Sequence, residues 1–333
     1  MIFFNGEQVP MNDELQDLNN KGVKLFMEGK FHEAESMYME ALQTDPDHST
    51  TLNNMGMLRL YQKEYRLALV CFNKALKQAE KPVYYLNRGH AYAHLKQFDN
   101  AIEDYKTCVS IEPSSLKGWI SLARTCIAAE RKNEAIQYLE RVVSLDRDPV
   151  YKLELAKLLI STGSLDEARR ILYTTLKSVK LKDVVLYYLG LIAFYRKNFG
   201  LASDYLQEAL KLNHSNAVYR ELLAAVFLAK GDAESALKEW NTVIHLHPEN
   251  VKARLDSGIA LLGLNYLKDA DIQIRKALQL EPDNEKAQYY LALLHYKEGK
   301  TGWRAEIERI AASGSGFSKK AQNFLNSLSN NAQ

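Results

Sequence analysis

KGVKLFMEGKFHEAESMYMEAL, from Lys21 to Leu42, reads as a helical pattern, a break and a second helical pattern. Its first half carries Gly22 and its second half, twelve residues on, Ala34. Both return along the chain. The alanine recurs at Ala68, Ala101, Ala135, Ala168, Ala202, Ala236 and Ala270; the first small residue recurs at Gly56, Gly89, Ala123, Ala156, Gly190, Ala224 and Gly258, and Ala292 continues the series. The interval is 34 residues, and in the two places where it drops to 33 both markers shift together. The chain is therefore a tandem array of one helical-hairpin unit. A Gly or Ala on the first helix and an Ala on the second leave no side chain in the way where the two helices cross.

Four residues after each alanine stands a large apolar residue, in order Tyr38, Phe72, Tyr105, Leu139, Leu172, Leu206, Trp240 and Ile274. Three further on the residue is small or medium: Ala41, Ala75, Cys108, Val142, Thr175, Ala209, Val243 and Ala277. Steps of four and three keep one face of a helix, so each second helix has one buried stripe. Pro46, Pro113, Pro248 and Pro282 close the second helices, because proline cannot continue the hydrogen-bond ladder. In the two 33-residue repeats proline falls later, as Pro82 and Pro149, where it opens the following helix.

These marks resemble the tetratricopeptide repeat, as in Trp119, Leu122, Ala123 and Ala135, or in Gly89, Tyr92, Ala101, Tyr105 and Pro113. The resemblance covers roughly Leu15 to Asn284 in eight full units, at 15–48, 49–81, 82–115, 116–148, 149–182, 183–216, 217–250 and 251–284, behind an N-terminal arm at 1–14. A ninth begins at EKAQYYLALLHYKEGK but loses register after Lys300, where Ala305 falls one residue late, so 285–312 reads as a degenerate end. The resemblance implies an all-α fold, a right-handed α-solenoid superhelix whose first helices line a concave groove and whose second helices form the convex side. An open solenoid exposes its last apolar face, and Phe317, Ala321, Phe324 and Leu328 on one side of FSKKAQNFLNSL mark a capping helix within 313–333. At the front, Ile2, Phe3 and Phe4 are either a flexible arm or a strand-like cover over the first repeat.

With 333 residues, 47% hydrophobic and 25% charged, the chain reads as one elongated folded array. A net charge of +2 makes no general case for nucleic acid. The charge is uneven, with 3 Lys/Arg against 10 Asp/Glu in residues 1–50 and an excess of 9 positive charges in the remainder. Three cysteines, Cys71, Cys108 and Cys126, form no CxxC pair and no disulfide framework, and Cys108 takes the place of a packed alanine. No apolar run is long enough to span a membrane and no basic, apolar secretory leader opens the chain, which makes a reducing cytoplasm the expected address.

The groove implied by the resemblance is the expected binding site. Asn20, Asn54 and Asn87 stand two residues before the glycine in three consecutive repeats, where a carboxamide ladder offers donors and acceptors to the main chain of an extended peptide. The ladder stops at Ser121 and Glu154. One residue past the glycine slot, His90, Arg124 and Lys157 make three central repeats basic or titratable, with His94 and Lys117 nearby. Such a patch suits an acidic peptide segment; the alternative is a solvated face. Tyr187 and Leu191 continue the series as apolar anchors for the same ligand, and Tyr195 stands either with them or in the core between repeats.

Some relatives hold the C-terminal carboxylate of chaperones in a clamp of two Lys, two Asn and one Arg. Asn87 and Lys117 match its slots, but Asn53, Met57 and Ser121 stand where Lys, Asn and Arg are required, so the clamp is not expected. His90 and His94 are spaced to chelate a metal but have no third ligand near them in sequence, and no metal or cofactor is expected. No nucleophile elbow, phosphate loop or catalytic carboxylate pair appears. The expectation is a non-enzymatic scaffold or adaptor that binds a protein or peptide, with a structural or self-associating protein as the alternative and an RNA-binding helical array as the third reading.

Overall fold

The computed structural model of the protein describes residues 2–4, 7–9 and 11–330. At the front, β1 (Ile2–Phe4) and β2 (Glu7–Val9) pair antiparallel, Ile2 opposite Val9. All else that is regular is helical, in consecutive hairpins: α1 (Met11–Met27) with α2 (Phe31–Thr44), α3 (Ser49–Tyr61) with α4 (Tyr65–Gln78), α5 (Pro82–His94) with α6 (Phe98–Ile111), and α7 (Leu116–Ala128) with α8 (Lys132–Leu145). Then come α9 (Pro149–Ser161), α10 (Leu165–Thr175), α11 (Lys182–Tyr195) with α12 (Phe199–Leu212), α13 (Ala217–Ala229) with α14 (Ala233–Leu246), and α15 (Val251–Gly263) with α16 (Leu267–Leu280). The end is α17 (Glu285–Lys297), α18 (Trp303–Ala312) and α19 (Ser318–Asn330). The chain forms two compact units, residues 1–168 and 169–333, and the division falls inside α10 rather than in a linker.

In the first unit the repeated small residues do what their spacing predicts. Ala34, Ala68, Ala101, Ala135 and Ala168 are wholly buried. A Cβ added at Gly22, Gly56 or Gly89 would come within 2.5, 2.5 and 2.6 Å of the rings of Tyr38, Phe72 and Tyr105, so each glycine is the floor on which the next helix lays an aromatic. Where the large residue is Leu139, the small one is Ala123: a narrower partner leaves room for one methyl group. Cys108 is buried in the alanine slot, and burial pushes its thiol pKa up, as it does that of Cys126, to about 11. These thiols are packing groups rather than nucleophiles.

The second unit repeats the arrangement with Ala202, Ala236 and Ala270 buried under Leu206, Trp240 and Ile274. Its end is closed as expected. Ile307, Ile310 and Ala321 are fully buried with Tyr289 and Ala292, and Phe324 lies edge-on to Tyr296 and Trp303. Lys320 sits over the ring of Tyr290, 4.8 Å from its centroid, and pins the capping helix to α17.

Proline and the turns set the helix ends. α5 begins at Pro82 and α9 at Pro149, while Pro46, Pro113, Pro248 and Pro282 lie two residues beyond the last helical residue of α2, α6, α14 and α16. Inside each hairpin the first helix stops on a residue of positive φ, seven after the glycine slot: Gly29, Lys63, Lys96, Glu130, Gly163, Lys197, Gly231, Asn265 and Gly299. The next N–H reaches back to close a Schellman turn, as Glu64 to Arg59 at 2.8 Å and Gln97 to Tyr92 at 2.9 Å. Four of these positions hold Lys or Glu, so the turn is enforced by helix packing and not by glycine.

Candidate functional site

The structure does not join Asn20, Asn54 and Asn87 in one hydrogen-bonded row. Asn20 is exposed and accepts from Gln16 of its own helix at 3.0 Å. The residue that faces α3 is its neighbour Asn19, 2% exposed, whose Oδ1 accepts from Asn54 Nδ2 at 2.9 Å and from Thr51 at 3.1 Å. Asn53 bonds Asn54 and accepts from Asn87 Nδ2 at 2.9 Å. One residue is a 100° step around a helix, so two adjacent slots share the bonding and the carboxamides satisfy one another across α1, α3 and α5. They form a buried brace between repeats, with His48 completing it through Thr51 at 2.8 Å.

The basic residues behave differently. His90, on α5, places Nε2 3.2 Å from Ser121 Oγ on α7, with its ring 5.5 Å from that of Tyr105. Its pKa is depressed, first by burial and then by the charges of His94 and Lys117. His94 is exposed and stacks face to face on Tyr65, centroids 4.7 Å apart and planes within 3°. Lys117 and Arg124 are exposed, and among the described residues neither has an ion-pair partner. With Ser121 they follow one face of α7, spaced four and three. Lys157, by contrast, is half-buried and bonds Glu154 at 2.8 Å, so it is already partnered. Tyr187 and Leu191 belong to the second unit, where Tyr187 is half-buried and stacks on Tyr219 with centroids 5.1 Å apart. That ring is part of the hydrophobic cluster around Leu223, and Tyr195 is 56% exposed.

The repeat explains why Lys117 is left unpaired. It stands six residues before the small-residue slot, the place held by Lys252 and Lys286 in the second unit. There Lys252 pairs with Glu221 of the preceding repeat, and Lys286 with Asp256 of the preceding repeat at 2.8 Å. The residues equivalent to Glu221 and Asp256 in front of Lys117 are Leu86 and Asn87. Neither carries a negative charge. The same slot is thus neutralised in one unit and open in the other.

A second feature was missed in the sequence. Phe26, Met57, Leu60, Tyr61, Tyr65 and His94 line a recess at the turn end of α1, α3 and α5, with Lys63 at its rim. Tyr61, 63% exposed, lies 4.5 Å from Phe31 and 5.8 Å from Phe26, ring to ring. Four of these residues, Phe26, Leu60, Tyr61 and His94, follow the glycine slot by four or five positions, outside the stripes that the repeat pattern makes conspicuous. Among the described residues no group of three His, Cys, Asp or Glu could hold a metal ion, and no helix is long and apolar enough to cross a membrane.

Comparison with known proteins agrees with this architecture. Sequence profiles of the tetratricopeptide repeat match residues 82–115, 116–149 and 187–244. The chain is a tetratricopeptide repeat protein. It is 26% identical over 138 residues to the small glutamine-rich tetratricopeptide repeat-containing protein 2 of Saccharomyces cerevisiae, a match covering 40% of each. It is 23% identical over 286 residues to the BBSome complex member BBS4 homolog of Drosophila melanogaster, covering 80% of this chain and 58% of that one. The chain thus spans about half the length of these curated relatives. Among solved structures, the C-terminal part of a tetratricopeptide repeat protein from Cytophaga hutchinsonii superposes with a TM-score of 0.62 at 17% identity, over 70% of this chain and 97% of that one, which is a likeness of fold. Tetratricopeptide repeat proteins are generally protein-interaction scaffolds.

Proposed function

We propose that this protein is a non-enzymatic scaffold that holds an acidic, extended segment of a partner protein against the first unit, along α5 and α7. The observation that carries the reading is the unpaired state of Lys117 and Arg124, set against the paired state of Lys252 and Lys286 in the slot that Lys117 shares. An exposed cation without an internal carboxylate gains most from an incoming one, through charge-assisted hydrogen bonds and electrostatic steering. His90 and His94 extend the patch, and an anionic ligand beside His90 would favour its protonated form. The asparagines support this face by fixing α1, α3 and α5 in register, and their bonds to one another take them out of the role of free peptide ligands.

Affinity capture from the host's lysate tests the reading, with the wild-type chain compared with Lys117→Glu/Arg124→Glu. Both positions are exposed, so the variant should keep its helicity. Partners retained by the wild type through an acidic segment, released by salt and lost with the double variant, are the expected result. Equal retention by both proteins would contradict it.

A further inference from the structure

The recess at the turn end of α1, α3 and α5 meets the cationic face through one residue, His94, which lines the recess and lies four residues, one helical turn, after His90. Its walls are aromatic and aliphatic, its basic lining groups are Lys63 and His94, and no carboxylate lines it. An apolar hollow with a basic rim, continuous with an unpaired basic face, is complementary to one kind of segment. We infer that the recess takes a single large apolar side chain, aromatic or branched, of a partner segment whose flanking residues are carboxylates bound by Lys63, Lys117 and Arg124. This rests on the function proposed above and adds the specificity element. Charge alone would accept any acidic stretch, whereas the recess selects those that carry an anchor at the right place.

The geometry favours an anchor over simple solvent exposure. Tyr61 is held by two ring contacts, to Phe26 and Phe31, and Tyr65 is held by the stacked His94, so the walls are preorganised and little side-chain entropy is lost on filling the space. Tyr195 occupies the slot of Tyr61 in the second unit and is similarly exposed, at 56% against 63%, but it belongs to a different unit from Lys117 and Arg124. It serves as the internal control.

The test uses the full chain and three fluorescein-labelled peptides: an Asp/Glu-rich peptide with one central Phe, the same peptide with Ala for Phe, and the Phe peptide with every acid replaced by Gln or Asn. The acidic Phe peptide should bind about tenfold tighter than its Ala counterpart, the effect of burying one such side chain. Tyr61→Ser should bring it to the level of the Ala peptide, Lys63→Glu should weaken it, and Tyr195→Ser should leave it unchanged. Both recess positions are exposed, and circular dichroism checks that each variant is folded. Equal binding of the two acidic peptides would overturn the recess while the basic face stands. Tight binding of the uncharged Phe peptide would overturn the coupling of anchor to charge. Failure of both acidic peptides would remove the proposed function and this inference with it.

Discussion

Gly56 and Phe72 are so close where α3 crosses α4 that a Cβ on residue 56 would stand 2.5 Å from the Phe72 ring. Phe72 is fully buried and cannot swing away, so Gly56→Ala forces either the ring or the helix to move. The expected cost is about 1–3 kcal/mol, as for other overpacked cores. Gly190→Ala should cost less, because the atom met there is Leu206 Cγ at 2.9 Å and leucine already coexists with alanine in the repeat of Ala123. In urea unfolding, Phe72→Leu should partly rescue Gly56→Ala. Two strictly additive losses would refute the close-approach account.

Arg88 and Asp104 form a largely buried ion pair in the first unit, with Nε to Oδ2 at 2.8 Å and Nη2 to Oδ1 at 2.6 Å, and Asp104 is 4% exposed. Burial raises the Asp104 pKa while the Arg88 guanidinium pulls it down, so removing the arginine leaves the burial effect unopposed. Arg88→Ala is expected to destabilise by about 3–5 kcal/mol, and Arg88→Ala/Asp104→Ala by clearly less, because an isolated buried carboxylate is worse than none. Denaturant midpoints of the two variants decide the order.

The residues of positive φ offer gains instead of losses. Lys96, Glu130 and Lys197 occupy a backbone conformation that costs an L-residue about 1–2 kcal/mol, partly offset on replacement by glycine's larger unfolded-state entropy. Each change to Gly should stabilise by about 0.5–1 kcal/mol. The triple variant should melt higher than the wild type; an unchanged or lower midpoint would show the turns to be relaxed.

His90 gives a pH dependence. Its folded pKa is lowered from 6.5 by burial, so the unfolded chain binds the proton more readily. The stability it secures is fully present above 6.5 and is lost as pH falls from there through the folded value. The wild type should therefore lose more stability between about pH 7 and pH 5 than His90→Gln does, as measured by urea titration at each pH. Parallel pH profiles would remove His90 from this role.

The period, the buried alanines, the small residues at the helix crossing and the capping helix were legible because they follow nearest-neighbour packing rules, whereas the seating of each aromatic on the glycine of its own hairpin emerged only in the structure. Less legible was whatever depends on a few degrees of helix rotation. Asn20 and Asn19 are adjacent in sequence, yet only Asn19 turns into the brace. The nine positive-φ turns were hidden because only four carry glycine. The recess was hidden because Phe26, Leu60, Tyr61 and His94 converge from three different repeats, and no spacing within one repeat reveals that. The front segment left open as an arm or a strand-like cover contains a short antiparallel pair, Ile2–Phe4 with Glu7–Val9.

The central claim is that the open basic face of α5 and α7 in the first unit, and not the neutralised one of the second, receives an acidic segment. A nitrogen-15 TROSY titration of the full chain with an Asp/Glu-rich peptide tests it most directly. The expected result is that the amides around Lys117, Ser121 and Arg124 and the imidazoles of His90 and His94 shift saturably at low salt and return at high salt, while those around Lys252 and Lys286 stay in place. Shifts centred on Lys252 and Lys286, or none at either face, would contradict the account.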